Sequence, residues 1–235
     1  MKASAPLVPP SARAVLFDLD GTLLDTAPDL IGSLNALRAE QGMEPLIAGH
    51  LQPVVSHGSG AMVQRGFDLA PTDPRFEPLR QRFLTLYRER VSRDTRAFAG
   101  MDELLEALEA RGIPWGVVTN KPGWLTEPLL EDLGYAARSA CIVSGDTLPI
   151  RKPHPAPLLL ACERIGRAPS DCVFVGDALR DIQAGRSAGM LTLVALFGYI
   201  GAEDHVRLWG ADGLVGTPAE VLRWIAPELR AAPTR

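Results

Sequence analysis

The chain has 235 residues, of which 46% are hydrophobic and 22% are charged, so it can bury one substantial core and is not generally disordered. Its 24 Lys and Arg residues against 28 Asp and Glu residues give a formal net charge of -4. That balance excludes a general attraction to nucleic acid or to anionic lipid. A small molecule is therefore the expected partner.

No segment has the character of a membrane span or of a secretory signal. The longest apolar stretches, such as Met190–Phe197, are much shorter than the roughly 20 residues that cross a bilayer. Residues 1–12 contain small residues and proline instead of the apolar run of a signal peptide. We expect a cytoplasmic protein in which Cys141, Cys162 and Cys172 are buried and reduced.

An apolar run at 14–19 predicts a first buried strand. The next strand-like run begins only at residue 115, much further along the chain than one crossover helix requires. Between the two runs, residues 27–96 show helical spacing of apolar residues, and no strand is expected there. We predict that 27–96 form a helical cap domain inserted into a core domain made of 1–26 and 97–235.

Residues 26–29, Thr-Ala-Pro-Asp, predict the start of the first cap helix. Thr26 is the expected N-cap residue, and Pro28 suits the first turn of a helix. Asp29 stands three residues after Thr26, in the position that completes a capping box.

After the cap, strand-like runs alternate with helical patterns. The runs lie at 115–119, 141–144, 172–176 and 190–196, and the helical patterns lie at 101–111, 157–165 and 179–188. This alternation predicts an α/β fold with a doubly wound parallel sheet.

Polar side chains follow several of the predicted strands. In an open parallel sheet, ligands bind beyond the carboxyl ends of the strands. The relevant residues are Asp18, Asp20 and Thr22 after the first strand, Thr119, Asn120 and Lys121 after the second, Lys152 from a loop, and Asp177 and Asp181 after the run at 172–176. We expect four acids, two hydroxyl groups and at least one cation to meet at one edge of the sheet.

The four acids indicate a metal site. Asp18, Asp20, Asp177 and Asp181 would repel one another unless a cation joined them. Oxygen ligands without His or Cys favour a hard ion, and Mg²⁺ is the usual one beside phosphate.

The same residues suit phosphoryl transfer. An ionised carboxylate can attack phosphorus without a base, so Asp18 is the expected nucleophile. Asp20 would protonate the leaving oxygen and later deprotonate water. The Thr119 hydroxyl, the Asn120 backbone N–H and the Lys152 ammonium can hold the equatorial phosphoryl oxygens.

These motifs resemble those of the haloacid dehalogenase-like (HAD) superfamily, specifically its phosphoglycolate phosphatase group, over nearly the whole chain. The resemblance implies a Rossmann-like α/β core with an inserted helical cap. It also implies, by matching residues, a nucleophile at Asp18, a general acid/base at Asp20, phosphate binding by Thr119 and Lys152, and metal binding by Asp177 and Asp181. Within the group, the stretches VVSHGSGAMV, WGVVTNKP, PLLLAC, GDALRDIQAG and FGYI look most like the N-acetylmuramic acid 6-phosphate phosphatases of bacterial cell-wall recycling.

Substrate contacts are expected from a cap loop rich in small residues. Caps in this group place such a loop over the active site, so His57, Gly58 and Ser59 are candidate substrate-binding residues, and Arg65 is a further one. A plain turn between helices is the alternative for the loop, and a solvated helix face is the alternative for Arg65. Lys121 and Arg151 either are solvated charges or meet an acidic substrate.

The expected function is that of a Mg²⁺-dependent phosphomonoesterase. Its substrate would be a small carboxylate-bearing ester, with N-acetylmuramic acid 6-phosphate ahead of phosphoglycolate. A sugar-phosphate mutase with the same phospho-aspartate chemistry is the nearest alternative, although Thr22 favours the phosphatases. A non-catalytic sensor of phosphorylated ligands is the other, although all the motifs are intact. We expect a monomer or homodimer, without nucleic acid or membrane partners.

Overall fold

The computed structural model describes residues 12–225. Residues 1–11 and 226–235, which the predicted core domain includes, lie outside the described residues. Within 12–225, no helix combines the length and the apolar character that crossing a bilayer would need.

The described strands and helices alternate after a helical insertion. In chain order they are β1 (Ala14–Phe17), β2 (Leu24–Asp25), α1 (Ala27–Glu40), α2 (Ala48–Val55), α3 (Gly58–Phe67), α4 (Phe76–Arg88), β3 (Arg96–Ala97), α5 (Met101–Ala110), β4 (Trp115–Val118), α6 (Gly123–Asp132), β5 (Cys141–Val143), α7 (Ala156–Ile165), β6 (Cys172–Gly176), α8 (Leu179–Ala188), β7 (Leu191–Ala195) and β8 (Gly213–Val215).

The main sheet has six strands in the order β5-β4-β1-β6-β7-β8, and every neighbouring pair is parallel. The predicted doubly wound α/β fold is confirmed, because a strand lies within each of the five predicted runs. Sequence analysis did not predict β8, because Gly213 begins it and Asp212 and Gly216 flank it, which leaves only two consecutive larger apolar residues.

The central strand β1 shows how both faces of the sheet are covered. Val15 and Phe17 point into one hydrophobic cluster, which also contains the apolar face of α5. Ala14 and Leu16 point into a second cluster, with residues of α7 and α8. Burial on both faces explains the continuous apolar run. It leaves the carboxyl ends of the strands as the place for a site.

The segment between β1 and β4 is mainly helical, as predicted, but it is bounded by a small second sheet. β2 and β3 pair antiparallel, with Leu24 opposite Ala97 and Asp25 opposite Arg96. The expectation of no strand in this part of the chain is therefore wrong, because two-residue strands carry no periodic signal. Helices α1 to α4 lie between β2 and β3 and pack mainly on one another. We refer to them as the cap, and its predicted limits at 27–96 stay a prediction.

The predicted capping box at the start of α1 is wrong. Thr26 has helical backbone angles and makes no side-chain capping bond with the described residues. Its hydroxyl instead donates a hydrogen bond to Asp20 at 2.7 Å. The buried Asp29 carboxylate accepts hydrogen bonds from the backbone N–H groups of Asp94 (2.9 Å) and Thr95 (2.8 Å). Asp29 thus joins the first cap helix to the segment by which the chain returns to the core.

Candidate active site

A cleft of about 590 Å³ lies between the carboxyl ends of the core strands and the cap. Its core side includes Asp18, Asp20, Thr119 and Asn120, which sequence analysis places together. Its cap side includes residues of the predicted substrate loop and one face of α4. The volume falls within the range of small-molecule sites.

Asp18 directly follows β1 and is almost completely buried. The Lys152 ammonium lies 2.8 Å from its Oδ1 atom, and the Leu19 backbone N–H donates to the same oxygen at 2.7 Å. Arg180 Nη2 lies 3.9 Å from Oδ2. Burial opposes ionisation of Asp18, but the charges of Lys152 and Arg180 outweigh it, so the pKa of Asp18 lies below its usual value. The carboxylate is therefore ionised at neutral pH.

Lys152 is held in place at both its side chain and its backbone. Its ammonium contacts Asp18 and Asp181, each at 2.8 Å, and donates to the Val118 carbonyl at 2.7 Å. The side chain of Asn120 accepts from the Lys152 backbone N–H at 3.1 Å and donates to its carbonyl at 3.0 Å. Asn120, predicted as a phosphate ligand through its own N–H, thus also positions Lys152.

Three acids form a group that can hold a metal ion. One carboxylate oxygen each from Asp18, Asp177 and Asp181 lie within 4.8 Å of one another, and all three residues are buried. Burial and the charges of Asp18 and Asp181 raise the pKa of Asp177 to about 7. Burial and the charge of Asp18 also raise the pKa of Asp181. A bound cation would relieve this repulsion, and the all-oxygen donor set fits Mg²⁺.

Asp20, the fourth predicted metal ligand, does not belong to this group of described acids. Its Oδ1 atom accepts a hydrogen bond from the Thr26 hydroxyl at 2.7 Å and lies 2.8 Å from the Lys121 ammonium. Lys121 is buried and also donates to the hydroxyl of Tyr87 on α4 at 2.8 Å. The structure thus makes Lys121 a partner of Asp20 instead of a solvated charge.

The Asp177 carboxylate accepts hydrogen bonds from residues in distant parts of the chain. The Ser56 hydroxyl donates to its Oδ2 at 2.7 Å, and the Tyr199 backbone N–H donates to the same atom at 3.1 Å. The Thr22 hydroxyl donates to Oδ1 at 3.3 Å. Gly21 has a φ of 85°, and a Cβ there would collide with Oδ2. Only glycine therefore permits this close approach without strain.

The structure brings most of the predicted substrate residues together, but not all of them. His57, Gly58 and Ser59 line the cleft from the cap. Arg65 is not among the described residues that line it and instead borders a separate, shallow cavity with Gln64. Arg65 lies two helical turns after Gly58 on α3, which displaces it by about 10 Å along the helix axis. The expected participation of Arg65 is therefore not supported by its position.

Among the residues that line the cleft, sequence reasoning did not single out Arg80, Trp124 and Arg180. Arg180 precedes Asp181 on α8, and its Nε atom is buried without a hydrogen-bond partner among residues 12–225. Arg80 and Tyr87 stand seven residues apart on α4. That spacing places two residues on one face of a helix and was the available signal for Arg80.

Comparison with known proteins identifies the family. Residues 15–195 match the model of the family described as haloacid dehalogenase-like hydrolase. This chain belongs to the haloacid dehalogenase-like hydrolases. The resemblance inferred from the motifs is thereby confirmed.

Relatives named for two different substrates are similar to the chain over most of its length. An N-acetylmuramic acid 6-phosphate phosphatase of Pseudomonas aeruginosa is 49% identical over 210 residues, which are 89% of this chain and 93% of that protein. A phosphoglycolate phosphatase of Xylella fastidiosa is 47% identical over 206 residues, which are 88% and 90% of the two chains. These relatives place this HAD hydrolase among the phosphatases.

A solved structure agrees with the fold. The crystal structure of a predicted phosphoglycolate phosphatase from Haemophilus somnus has a TM-score of 0.80 and 30% sequence identity. The match covers 91% of this chain and 97% of the other. The similarity therefore includes the cap as well as the sheet.

Proposed function

We propose that this HAD phosphatase is a Mg²⁺-dependent phosphomonoesterase that acts through an aspartyl-phosphate on a small carboxylate-bearing phosphate ester. The observation that carries the proposal is Asp18, which lies ionised at the base of the cleft. Lys152 holds it from one side, and Asp177 and Asp181 complete a group able to bind a cation.

In the proposed reaction, Asp18 and Asp20 have separate tasks. The Asp18 carboxylate attacks phosphorus, and the bond between phosphorus and the ester oxygen breaks. Asp20, as the general acid, delivers a proton to that leaving oxygen. Asp20 then takes a proton from water, which attacks the aspartyl-phosphate and releases phosphate with Asp18 restored.

Neutralising groups surround the phosphoryl position. The Thr119 hydroxyl and the Lys152 ammonium would bind its equatorial oxygens, where charge must be stabilised. Asp18, Asp177 and Asp181 would hold Mg²⁺, which would supply further neutralisation of the negative charge on the phosphoryl group. We assign Asp20 to proton transfer and not to the metal, because its carboxylate is directed to Thr26 and Lys121.

The shape of the cleft supports N-acetylmuramic acid 6-phosphate ahead of phosphoglycolate. The cap loop contributes Gly58, Ser59 and Gly60, whose small side chains leave room for a sugar ring. On the opposite side Trp124 is 47% exposed and offers an aromatic face, a common partner for a sugar. Phosphoglycolate would occupy only a small part of the 590 Å³.

Steady-state kinetics with Mg²⁺ test the proposal. We expect kcat/KM for N-acetylmuramic acid 6-phosphate to exceed that for N-acetylglucosamine 6-phosphate by about tenfold or more, since one charge-assisted hydrogen bond contributes about 1.5–3 kcal/mol. Equal values for the two sugars would refute carboxylate recognition, and a preference for phosphoglycolate would reverse the order of substrates.

The same assay distinguishes the alternatives. A mutase would yield an isomeric sugar phosphate in place of inorganic phosphate, and a sensor would bind without turnover.

The cytoplasmic location stays a prediction, supported by Cys141, Cys162 and Cys172, which are free and buried. The monomeric or homodimeric state also stays a prediction.

A further inference from the structure

We propose that Arg80, on cap helix α4, binds the carboxylate of the substrate's leaving group at the end of the cleft remote from Asp20. The inference rests on the proposed function. It adds the residue that would select a substrate whose carboxylate lies far from its phosphoryl group over one in which the two groups lie close together. Arg80, Leu84 and Tyr87 all line the cleft. Their spacing of four and three residues places them on one face of the helix.

One end of this helix face is fixed at the reaction centre. The Tyr87 hydroxyl lies 2.8 Å from the Lys121 ammonium, which itself lies 2.8 Å from the Asp20 carboxylate. Arg80 stands seven residues before Tyr87. Two helical turns correspond to about 10 Å along the axis. The backbone of Arg80 is therefore well separated from the proton-transfer group.

The Arg80 side chain also points away from the reaction centre. Helical side chains lean toward the N-terminus of their helix, and Glu77, one turn earlier, holds the guanidinium there. Glu77 Oε2 lies 2.8 Å from Nε, and its Oε1 lies 2.8 Å from Nη2. The pair is partly exposed, with 29% of the Arg80 side chain and 57% of the Glu77 side chain accessible. Such a pair adds little stability, but it fixes the direction of the guanidinium.

Glu77 leaves one edge of the guanidinium available. Nη1 makes only a long contact of 3.4 Å, with the hydroxyl of Ser59 in the cap loop. A guanidinium has five N–H donors in a planar fork, and Glu77 uses only one side of it. The remaining edge, formed by Nη1 and Nη2, matches the two oxygens of a carboxylate.

The other cations at the cleft are less suited to this task. Lys121 and Arg180 lie beside Asp20 and Asp18, so both belong to the reaction centre. Arg151 is exposed, and its side chain makes no hydrogen bond or ion pair within residues 12–225, so no described contact fixes its direction. Arg80 combines a fixed direction with distance from the phosphoryl position.

The distance from Arg80 to the phosphoryl position distinguishes the two candidate substrates. In phosphoglycolate a single methylene separates the ester oxygen from the carboxyl carbon, so its carboxylate would stay near Lys121 and Arg180. In N-acetylmuramic acid 6-phosphate the pyranose ring and the lactyl ether separate the two charged groups. A carboxylate at that separation can reach Arg80 while the phosphoryl group lies at Asp18.

The test compares Arg80→Gln with Arg82→Gln on three substrates. Arg82 is the matched control, because it lies on the same helix but pairs with Glu40 on α1 and does not line the cleft. We expect Arg80→Gln to lower kcat/KM for N-acetylmuramic acid 6-phosphate by about 10- to 100-fold. Values for N-acetylglucosamine 6-phosphate and phosphoglycolate should change less than about threefold. Arg82→Gln should leave all three values unchanged.

A second variant tests whether the planar pair of N–H donors of the Arg80 guanidinium is needed. Arg80→Lys keeps the charge but loses the planar pair of donors, so we expect an intermediate loss confined to the carboxylated sugar. An equal loss on both sugars, or no loss on either, would overturn the inference while leaving the proposed function intact. Wild-type protein that hydrolyses none of the three esters would overturn the proposed function. Wild-type protein that hydrolyses phosphoglycolate but not N-acetylmuramic acid 6-phosphate would overturn the assignment of Arg80 alone.

Discussion

Replacing Lys152 with Met should destabilise the protein most at alkaline pH. The ammonium is completely buried and contacts two buried carboxylates, those of Asp18 and Asp181. Removing one partner of a buried ion pair leaves an uncompensated charge and costs about 3–5 kcal/mol. A chain of this size loses about 2–4 °C in Tm per kcal/mol. We therefore expect a fall of about 6–20 °C at pH 8 in the absence of Mg²⁺.

The pH dependence follows from the direction of the pKa changes. In the wild type, Lys152 helps to hold the pKa of Asp18 below its usual value, so its ionised form stabilises the fold above that value. Without Lys152, the charge of Arg180 is the main remaining force against burial, so the pKa of Asp18 rises, and the pKa of Asp181, already above its usual value, rises further. The folded variant then binds protons more tightly than the unfolded chain, and its deficit relative to the wild type should shrink as the pH falls from 8 to 5.5.

Urea unfolding at both pH values, with metal removed by EDTA, measures this difference. The double variant Lys152→Met/Asp181→Asn is the control, because it removes a carboxylate together with its cation and should regain a large part of the lost stability. A deficit that is the same at pH 5.5 and pH 8, with no recovery in the double variant, would refute the electrostatic account of Lys152.

Three further predictions concern the same centre. Asp18→Asn should keep the fold and abolish nearly all turnover of a phosphate ester, because an amide is a poor nucleophile; a tenth of the wild-type rate would contradict the mechanism. Mg²⁺ should raise Tm more at pH 8 than at pH 6, because protons compete for Asp177, whose pKa is raised to about 7; equal shifts at both pH values would exclude Asp177 as a ligand. Asn120→Ala removes two hydrogen bonds to the Lys152 backbone, at about 1 kcal/mol each, so kcat/KM should fall about 10- to 30-fold; an unchanged value would show that Lys152 does not depend on Asn120.

The sequence predicts the acidic floor of the cleft because topology brings it together. Asp18 and Asp177 each follow a strand directly, and β1 and β6 are neighbours in the sheet. Parallel neighbours deliver their carboxyl ends to the same edge. A local motif and a strand prediction therefore suffice to place these two acids side by side, whichever helices cover the sheet.

Partners that come from distant segments could not be predicted in this way. Lys121 lies 101 residues from Asp20 in the chain, and Ser56 lies 121 residues from Asp177. No periodicity links such pairs. Asp29 gave a misleading local signal, because its spacing from Thr26 fits a capping box while its carboxylate binds the returning chain. In that case tertiary hydrogen bonds outweighed a local preference.

The contacts made by the cap would link the proposed substrate selection to the proposed chemistry. Ser56, just after α2, donates to Asp177 in the acidic group. Tyr87, on α4, accepts a hydrogen bond from Lys121, the partner of Asp20. Burial and the neighbouring carboxylates raise the pKa of Tyr87 well above its usual value, so its hydroxyl stays neutral. A displacement of the cap would remove one hydrogen-bond partner from Asp177 and one from Lys121, the partner of Asp20. Helix α4, proposed to bind the substrate's carboxylate through Arg80, therefore also contacts the residues proposed to transfer the proton.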